Sequence, residues 1–299
     1  MSVRDDLQSA VAQALSVMAA QENTITRQTA ELAELRSQLA AVRRVPLIGS
    51  SAKPGSVEAF MNLEAAVGKL QAWRIFVPGP VLDASSIAKV KACTAGGRRP
   101  VLSVSGVTNI AEAASYAHAA ATALRDILIP RGASITFGHE PTQKFTDRAG
   151  YVAAKDAFYR IIGEALPAWD RLDILMLHDL TTGGDRHPDL WVAHDGLLDA
   201  IGFDCYDQGK RSFQEMIAPA VTYAKSKRLP LWIPETATVP AGKAAWITAA
   251  AAYARTEPTL AGWLWFHSDI GPNTPSAGWY VNSPPEAAVA FRTALQEVS

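Results

Sequence analysis

Two glutamates in this chain stand where apolar runs end. The segment SITFGHEP, Ser134 to Pro141, delivers Glu140, and LPLWIPETAT, Leu229 to Thr238, delivers Glu235. A carboxylate just past a buried strand is how a barrel presents one proton donor and one nucleophile to the same bond. The two roles need different surroundings. The donor must keep its proton near neutral pH, through an apolar or anionic setting, whereas the nucleophile must stay ionised, through hydrogen bonds from its neighbours.

Such a pair works only if the chain between and around it builds a frame. From Val45 onward, strand-like and helix-like segments alternate. The strand candidates are Pro46 to Ser51, Trp73 to Pro78, Pro100 to Ser105, Ser134 to His139, Asp173 to His178, Ala200 to Tyr206, Leu231 to Glu235 and Gly262 to His267. Helical stretches follow near Val57 to Leu70, Ala84 to Ala95, Ile110 to Leu128, Arg148 to Trp169, Ser212 to Ser226, Gly242 to Arg255 and Pro285 to Gln296. The link after the fifth strand carries only a short helical piece, Pro188 to Ala193, and is the weakest repeat. Eight strands, nearly all followed by helices, predict an α/β chain folded as a (β/α)8 TIM barrel over residues 45–299. A doubly wound sheet would open on a Gly-rich phosphate turn, and GSSAKPGS, Gly49 to Ser56, has neither a dinucleotide nor a P-loop pattern.

In such a barrel the strand ends form the mouth. They read Ser50 and Ser51, Pro78, Ser105, His139 and Glu140, His178 and Asp179, Asp204 with Tyr206 and Asp207, Glu235, then Trp265, His267 and Asp269. Carboxylates, imidazoles and aromatics over Val, Ile, Leu and Phe strands suit sugar chemistry: one carboxyl protonates the leaving oxygen, one attacks the anomeric carbon, and aromatic faces stack on the ring. Trp279, in the Gly/Pro/Asn-rich loop Gly271 to Pro285, belongs with that lining. Zinc or manganese could bind imidazole and carboxylate here, but no tight ligand spacing such as HxxxH occurs, so no metal and no cofactor is expected.

With Glu140 after strand four and Glu235 after strand seven, the chain resembles the large clan of retaining glycoside hydrolases that includes β-mannanases, cellulases and xylanases. His139 before Glu140, where the clan more often carries Asn, is most similar to the family 26 mannanase group. The resemblance implies that Glu140 is the general acid/base and Glu235 the nucleophile. It implies that Tyr206 in GFDCYD hydrogen-bonds the nucleophile, and that Trp265 in GWLWFH forms the sugar-binding floor. His139, Asp204, His267 and Trp279 join Tyr206 and Trp265 as expected substrate-binding residues. Two features depart from the group: Pro141 follows the acid, and the arginine expected at the end of strand two is missing there, since Arg74 falls at that strand's start.

Residues 4–42 have another character. With Arg4 at position a, the a sites are Arg4, Val11, Met18, Ile25, Leu32 and Leu39, and the d sites are Leu7, Ala14, Gln21, Gln28, Leu35 and Val42. An uninterrupted seven-residue repeat predicts a coiled coil, a rod of about 60 Å that assembles chains as a dimer or trimer, the glutamines at d fixing register. Residues 1–44 are thus expected to be an oligomerisation stalk. Lys plus Arg number 28 against 29 Asp plus Glu, without a basic stripe, which disfavours nucleic acid as a partner. Cys93 and Cys205 sit in apolar runs as free thiols. The acidic start MSVRDDLQSA is not a signal peptide, and no apolar run reaches the length of a membrane span. An enzyme that multimerises without an export signal fits a bacteriophage tail or tail-tip protein bound to other virion components, otherwise a cytoplasmic one. The alternative is a structural or carbohydrate-binding tail protein whose barrel has lost turnover. Removing residues 1–44 is expected to leave a folded monomer where the full chain scatters light as a dimer or trimer. A full chain that is already monomeric contradicts the seam.

Overall fold

The computed structural model describes residues 13, 15–21, 24, 27, 45–52, 55–104, 109–194, 196–268 and 278–298. The chain divides into two compact units, Met1–Arg44 and Val45–Ser299. In the first, the described residues are helical and exposed, among them Leu15, Val17 and Met18. Of the expected seam, Met18 and Gln21 fall among them; the coiled coil as such lies outside the described residues.

The second unit is a closed barrel of eight parallel strands in sequence order. They are β1 (Leu47–Ala52), β2 (Ala72–Val77), β3 (Arg99–Val104), β4 (Ala133–Phe137), β5 (Trp169–Met176), β6 (Ala200–Tyr206), β7 (Leu231–Ala237) and β8 (Leu260–His267). Helices α1 (Val57–Val67), α2 (Ala84–Ala95), α3 (Ala113–Leu124), α4 (Arg148–Ala165), α5 (Phe213–Lys227), α6 (Lys243–Thr256) and α7 (Pro285–Glu297) pack outside. Side-chain caps start several of them: Ser56 accepts from Ala59 N, Asp83 from Ser86 N, Asp147 from Gly150 N, and Ser212 forms a reciprocal box with Glu215. β1 closes the ring on β8 from Leu47↔Gly262 to Ala52↔His267. That closure is tight enough to require glycine at position 49, where a Cβ would lie 2.1 Å from Ala72 O.

Burial divides the core in two. A small inner cluster of Ala72, Val101, Leu172, Ile174, Ala200, Trp232 and Leu264 fills the barrel, and a much larger one lies between strands and helices. This phase identifies which residues face the axis: Ala72, hence Arg74, and Leu264, hence Phe266. β7 is irregular. Gly202 pairs with Trp232 but Cys205 with Thr236, and Ile233 pairs with Trp263 but Thr236 with Trp265, so β7 carries one extra residue around Pro234 and Glu235. A bulge at a proline, which has no N–H to give the ladder, resets the alternation and turns Glu235 inward.

β5 begins at Trp169, earlier than the expected Asp173, and Trp169 is buried in the strand rather than ending a helix. Beyond β5, the weak repeat is a helical turn (Asp179–Thr182) and two 3-10 turns, Gly184–Arg186 and Pro188–Leu190. An ion pair anchors this link in place of a helix. Lys155 Nζ on α4 lies 2.6 and 2.7 Å from the Asp173 carboxylate and 2.8 Å from Trp191 O, and Asp173 Oδ2 also accepts from Ala193 N at 3.1 Å. Both side chains are fully buried. Removing one partner strands the other charge, so Asp173→Asn is expected to cost about 3–5 kcal/mol in urea unfolding, and Lys155→Met with Asp173→Leu together far less. Equal losses in both variants contradict this account.

Candidate active site

The centre of the barrel's C-terminal end is organised around a cation that the sequence reading left aside. Arg74, the third residue of β2, points along the axis and is 0% exposed. Its Nη1 lies 2.7 Å from Asp204 Oδ1 on β6 and 3.3 Å from Glu235 Oε1 on β7, its Nε donates to Ser103 Oγ at 3.0 Å, and it covers the Phe76 ring at 4.9 Å. Burial opposes its charge, but Asp204 and Glu235 outweigh burial and hold the guanidinium above its ordinary pKa. Arg74 therefore does in mid-strand what was sought at the strand's end, because an inward residue low on β2 is long enough to reach the carboxylates of the strands opposite.

Glu235 is 6% exposed and has a second partner. The Tyr206 hydroxyl, at the end of β6, donates to Glu235 Oε2. Burial and the adjoining carboxylates raise the Tyr206 pKa well above that of an ordinary phenol, so it remains a donor. The Tyr206 ring stacks on Trp279, centroids 4.6 Å apart and planes within 3°, and meets Phe266 edge-on at 5.7 Å.

Glu140 arrives by a different backbone device. Gly138 and Glu140 both have positive φ, 56° and 54°, and Glu140 N donates to Ile174 O at 2.9 Å. Left-handed backbone at a glutamate costs about 1–3 kcal/mol and is characteristic of sites where a side chain must be aimed. Pro141 then opens the 3-10 turn Pro141–Gln143, and Thr142 Oγ1 ties it to the buried Asp179 at 2.7 Å. Lys144 Nζ, another residue not foreseen, donates to His139 O at 2.8 Å. Burial lowers the Lys144 pKa, and Glu140 opposes the shift. Arg74, Tyr206 and Lys144 each feel the charges of both Glu140 and Glu235, so the two carboxylates share one electrostatic neighbourhood.

The other expected site residues divide. Tyr206 and Trp279 lie in the constellation, and His139 is buried beside it with its ring edge-on to Phe76 at 5.7 Å. Asp204 is at the centre but fully buried under Arg74, so it supports the arginine and offers no surface to a substrate. Trp265 is corrected outright. It is 0% exposed and faces outward, edge-on to Trp246 of α6 and Phe291 of α7, because the inward residues of β8 are Leu264 and Phe266. Its indole Nε1 donates to Trp279 O at 2.7 Å, so it fixes the aromatic that does reach the centre. His267 is also turned outward: Nδ1 accepts from Val281 N at 3.2 Å and the ring packs on Tyr280. Asp207 caps a turn, accepting from Gly209, Lys210 and Arg211 N and from Thr238 Oγ1, and His178 pairs with Asp179 at the next strand end. Ser105, Asp269 and residues 271–277 lie outside the described residues. Among the described residues no three His, Cys, Asp or Glu side chains converge as a metal site.

Solved structures share this fold. A GH26 β-mannanase from Bacteroides ovatus superposes with a TM-score of 0.61 at 13% identity, over 88% of this chain and 92% of its own. An endo-β-1,4-glucanase from Xanthomonas axonopodis pv. citri gives 0.58 at 14% identity, over 84% and 99%. An exo-β-1,4-mannosidase from Opitutaceae bacterium strain TAV5 gives 0.58 at 18% identity, over 85% of this chain and 60% of its own. At these identities the likeness is one of fold. Compared with protein-family models and with curated sequences, the chain matches none.

The His267 imidazole carries a pH consequence. Burial, and secondarily the Lys243 charge, depress its pKa to about 4 from 6.5. The folded state therefore holds fewer protons than the unfolded state between those values, and stability is complete above about pH 6.5 and falls by up to about 3 kcal/mol as pH drops through 4. Urea midpoints measured from pH 7 to 4 should fall less steeply for His267→Asn than for the wild type. Parallel curves contradict the assignment.

Proposed function

We propose that the barrel is a retaining glycoside hydrolase that cleaves β-glycosidic bonds of a polysaccharide, either a cell-envelope glycan or one like β-mannan. The observation that carries this reading is the pairing of Glu235, held between Arg74 and the Tyr206 hydroxyl, with Glu140 held in strained backbone in the same electrostatic neighbourhood. Glu235 is the nucleophile. It attacks the anomeric carbon while protonated Glu140 gives its proton to the departing oxygen, and a covalent glycosyl ester forms on Glu235. Glu140, now a carboxylate, takes a proton from water, whose oxygen displaces Glu235 and restores both groups. Arg74 and Tyr206 lower the cost of the free carboxylate at the start and end of the cycle, and the half-buried Tyr206 ring, backed by the buried Trp279, supplies an aromatic wall for the sugar.

The fold likeness to β-mannanase, β-glucanase and β-mannosidase structures supports the reaction class. The heptad repeat over residues 4–42 supports several barrels working side by side on one stalk. A chain built this way suits a bacteriophage tail or tail tip, which would bring the barrels to an envelope as part of a particle.

The test is hydrolysis of envelope polysaccharides and β-mannans, read as new reducing ends. The wild type should release product, and Glu140→Gln and Glu235→Gln should each lose about 10³-fold or more in kcat. Binding without product, equal in the wild type and both variants, overturns the enzyme reading in favour of a carbohydrate-binding tail protein.

A further inference from the structure

Lys243 is the first residue of α6, where a positive charge opposes the helix dipole, and it is 1% exposed. Something else must therefore satisfy it. Its three N–H groups all find backbone carbonyls of one segment: Gly278 O at 2.9 Å, Tyr280 O at 2.8 Å and Ser283 O at 2.6 Å. An ammonium has three donors, so its capacity is used in full. Among the described residues no carboxylate offsets its burial. The two nearer carbonyls in sequence bracket Trp279, whose own carbonyl is taken by Trp265 Nε1. From β8 the facing titratable group is His267, which accepts from Val281 N in the same segment.

The segment held in this way ends at the centre of the site. Trp279 covers one face of Tyr206 and Phe266 stands edge-on to the ring, and the ring so enclosed directs its hydroxyl onto Glu235. We propose that Lys243 is a positioning residue for the Glu235 centre: by gathering the carbonyls of Gly278, Tyr280 and Ser283 it presses Trp279 flat on Tyr206 and keeps the Tyr206 hydroxyl on the carboxylate. Burial brings the Lys243 pKa down to about 8, in keeping with an ammonium walled in by carbonyls and aromatic rings. The kinetic consequence rests on Glu235 being the nucleophile, whereas the geometric one does not.

Two readouts on the full chain separate these. In near-ultraviolet circular dichroism, the wild type minus Trp279→Phe difference isolates the stacked indole. Lys243→Met is expected to lose that difference while its far-ultraviolet spectrum stays native. On whichever polysaccharide the wild type cleaves, Lys243→Met should lower kcat about tenfold with KM changed less than about twofold, as a slightly misplaced reacting group would. The double variant with Tyr206→Phe should be no slower than Tyr206→Phe alone, since both act through one hydroxyl. If Lys243→Met does not fold, Lys243→Gln keeps two of the three donors and is read the same way. A Trp279 signal intact in the folded Lys243 variant overturns the proposal, as do losses that simply multiply in the double variant. Should the wild type cleave nothing, the dichroism arm still decides the positioning, and the hydrolase reading fails on its own.

Discussion

A guanidinium sealed inside a parallel barrel is the constraint from which the rest of this site follows. Moving Arg74 out of water costs several kcal/mol, and only short contacts with opposite charge recover it. Nη1 meets both Asp204 and Glu235, and Nε meets Ser103, so β2, β3, β6 and β7 are bound to one another through a single side chain. The same contact ties two buried carboxylates together near adjacent strand ends: Arg74 opposes the burial and the mutual repulsion that still hold the Asp204 carboxyl well above the ordinary carboxylate range. Asp204 belongs to the support of this arrangement, and Glu235, with one oxygen toward Arg74 and the other toward Tyr206, is the less deeply buried carboxylate of the two.

Regular strands alone would not have aimed the glutamates. On β7 the alternation that puts Trp232 inside would turn Glu235 outward, and the bulge at Pro234 reverses it. At β4 the chain leaves the sheet through two left-handed residues, Gly138 and Glu140, secured by Ile174 O and by the Thr142–Asp179 hydrogen bond. Backbone irregularity at these two points, and regularity almost everywhere else in the barrel, is the pattern expected when strain is confined to the place where chemistry is done.

The frame was legible because parallel strands are buried on both faces and read as continuous apolar runs, eight of them, alternating with helical stretches. The same continuity hid the facing of individual residues. In GWLWFH every position is apolar or aromatic, so nothing local says whether Trp265 or Phe266 faces the axis; the inner position of Leu264 settles it, and that depends on how β8 meets β1 and β7. Arg74 stands out in the sequence only as an arginine at the wrong end of its strand, for a related reason. A charged residue within a strand reads as an edge or surface feature until partners from distant strands are known, and its partners, Ser103, Asp204 and Glu235, come from three other strands. Tyr206 and Glu235 were legible because each lies within two residues of the mouth-side end of its strand. The weak link after β5 was recognised as irregular, but its anchor, Lys155 with Asp173, joins a helix to a strand through two residues that individually look like solvated charges.

The most direct test of the central claim is to trap the intermediate. A panel of 2-deoxy-2-fluoro β-glycosyl fluorides, with gluco and manno configurations included, slows release of a glycosyl ester more than its formation, and peptide mass spectrometry then locates the added sugar. The account predicts a single adduct on Glu235 in the wild type and none in Glu235→Gln. An adduct on Glu140, or substrate turnover that yields an inverted anomer with no adduct at all, would contradict it.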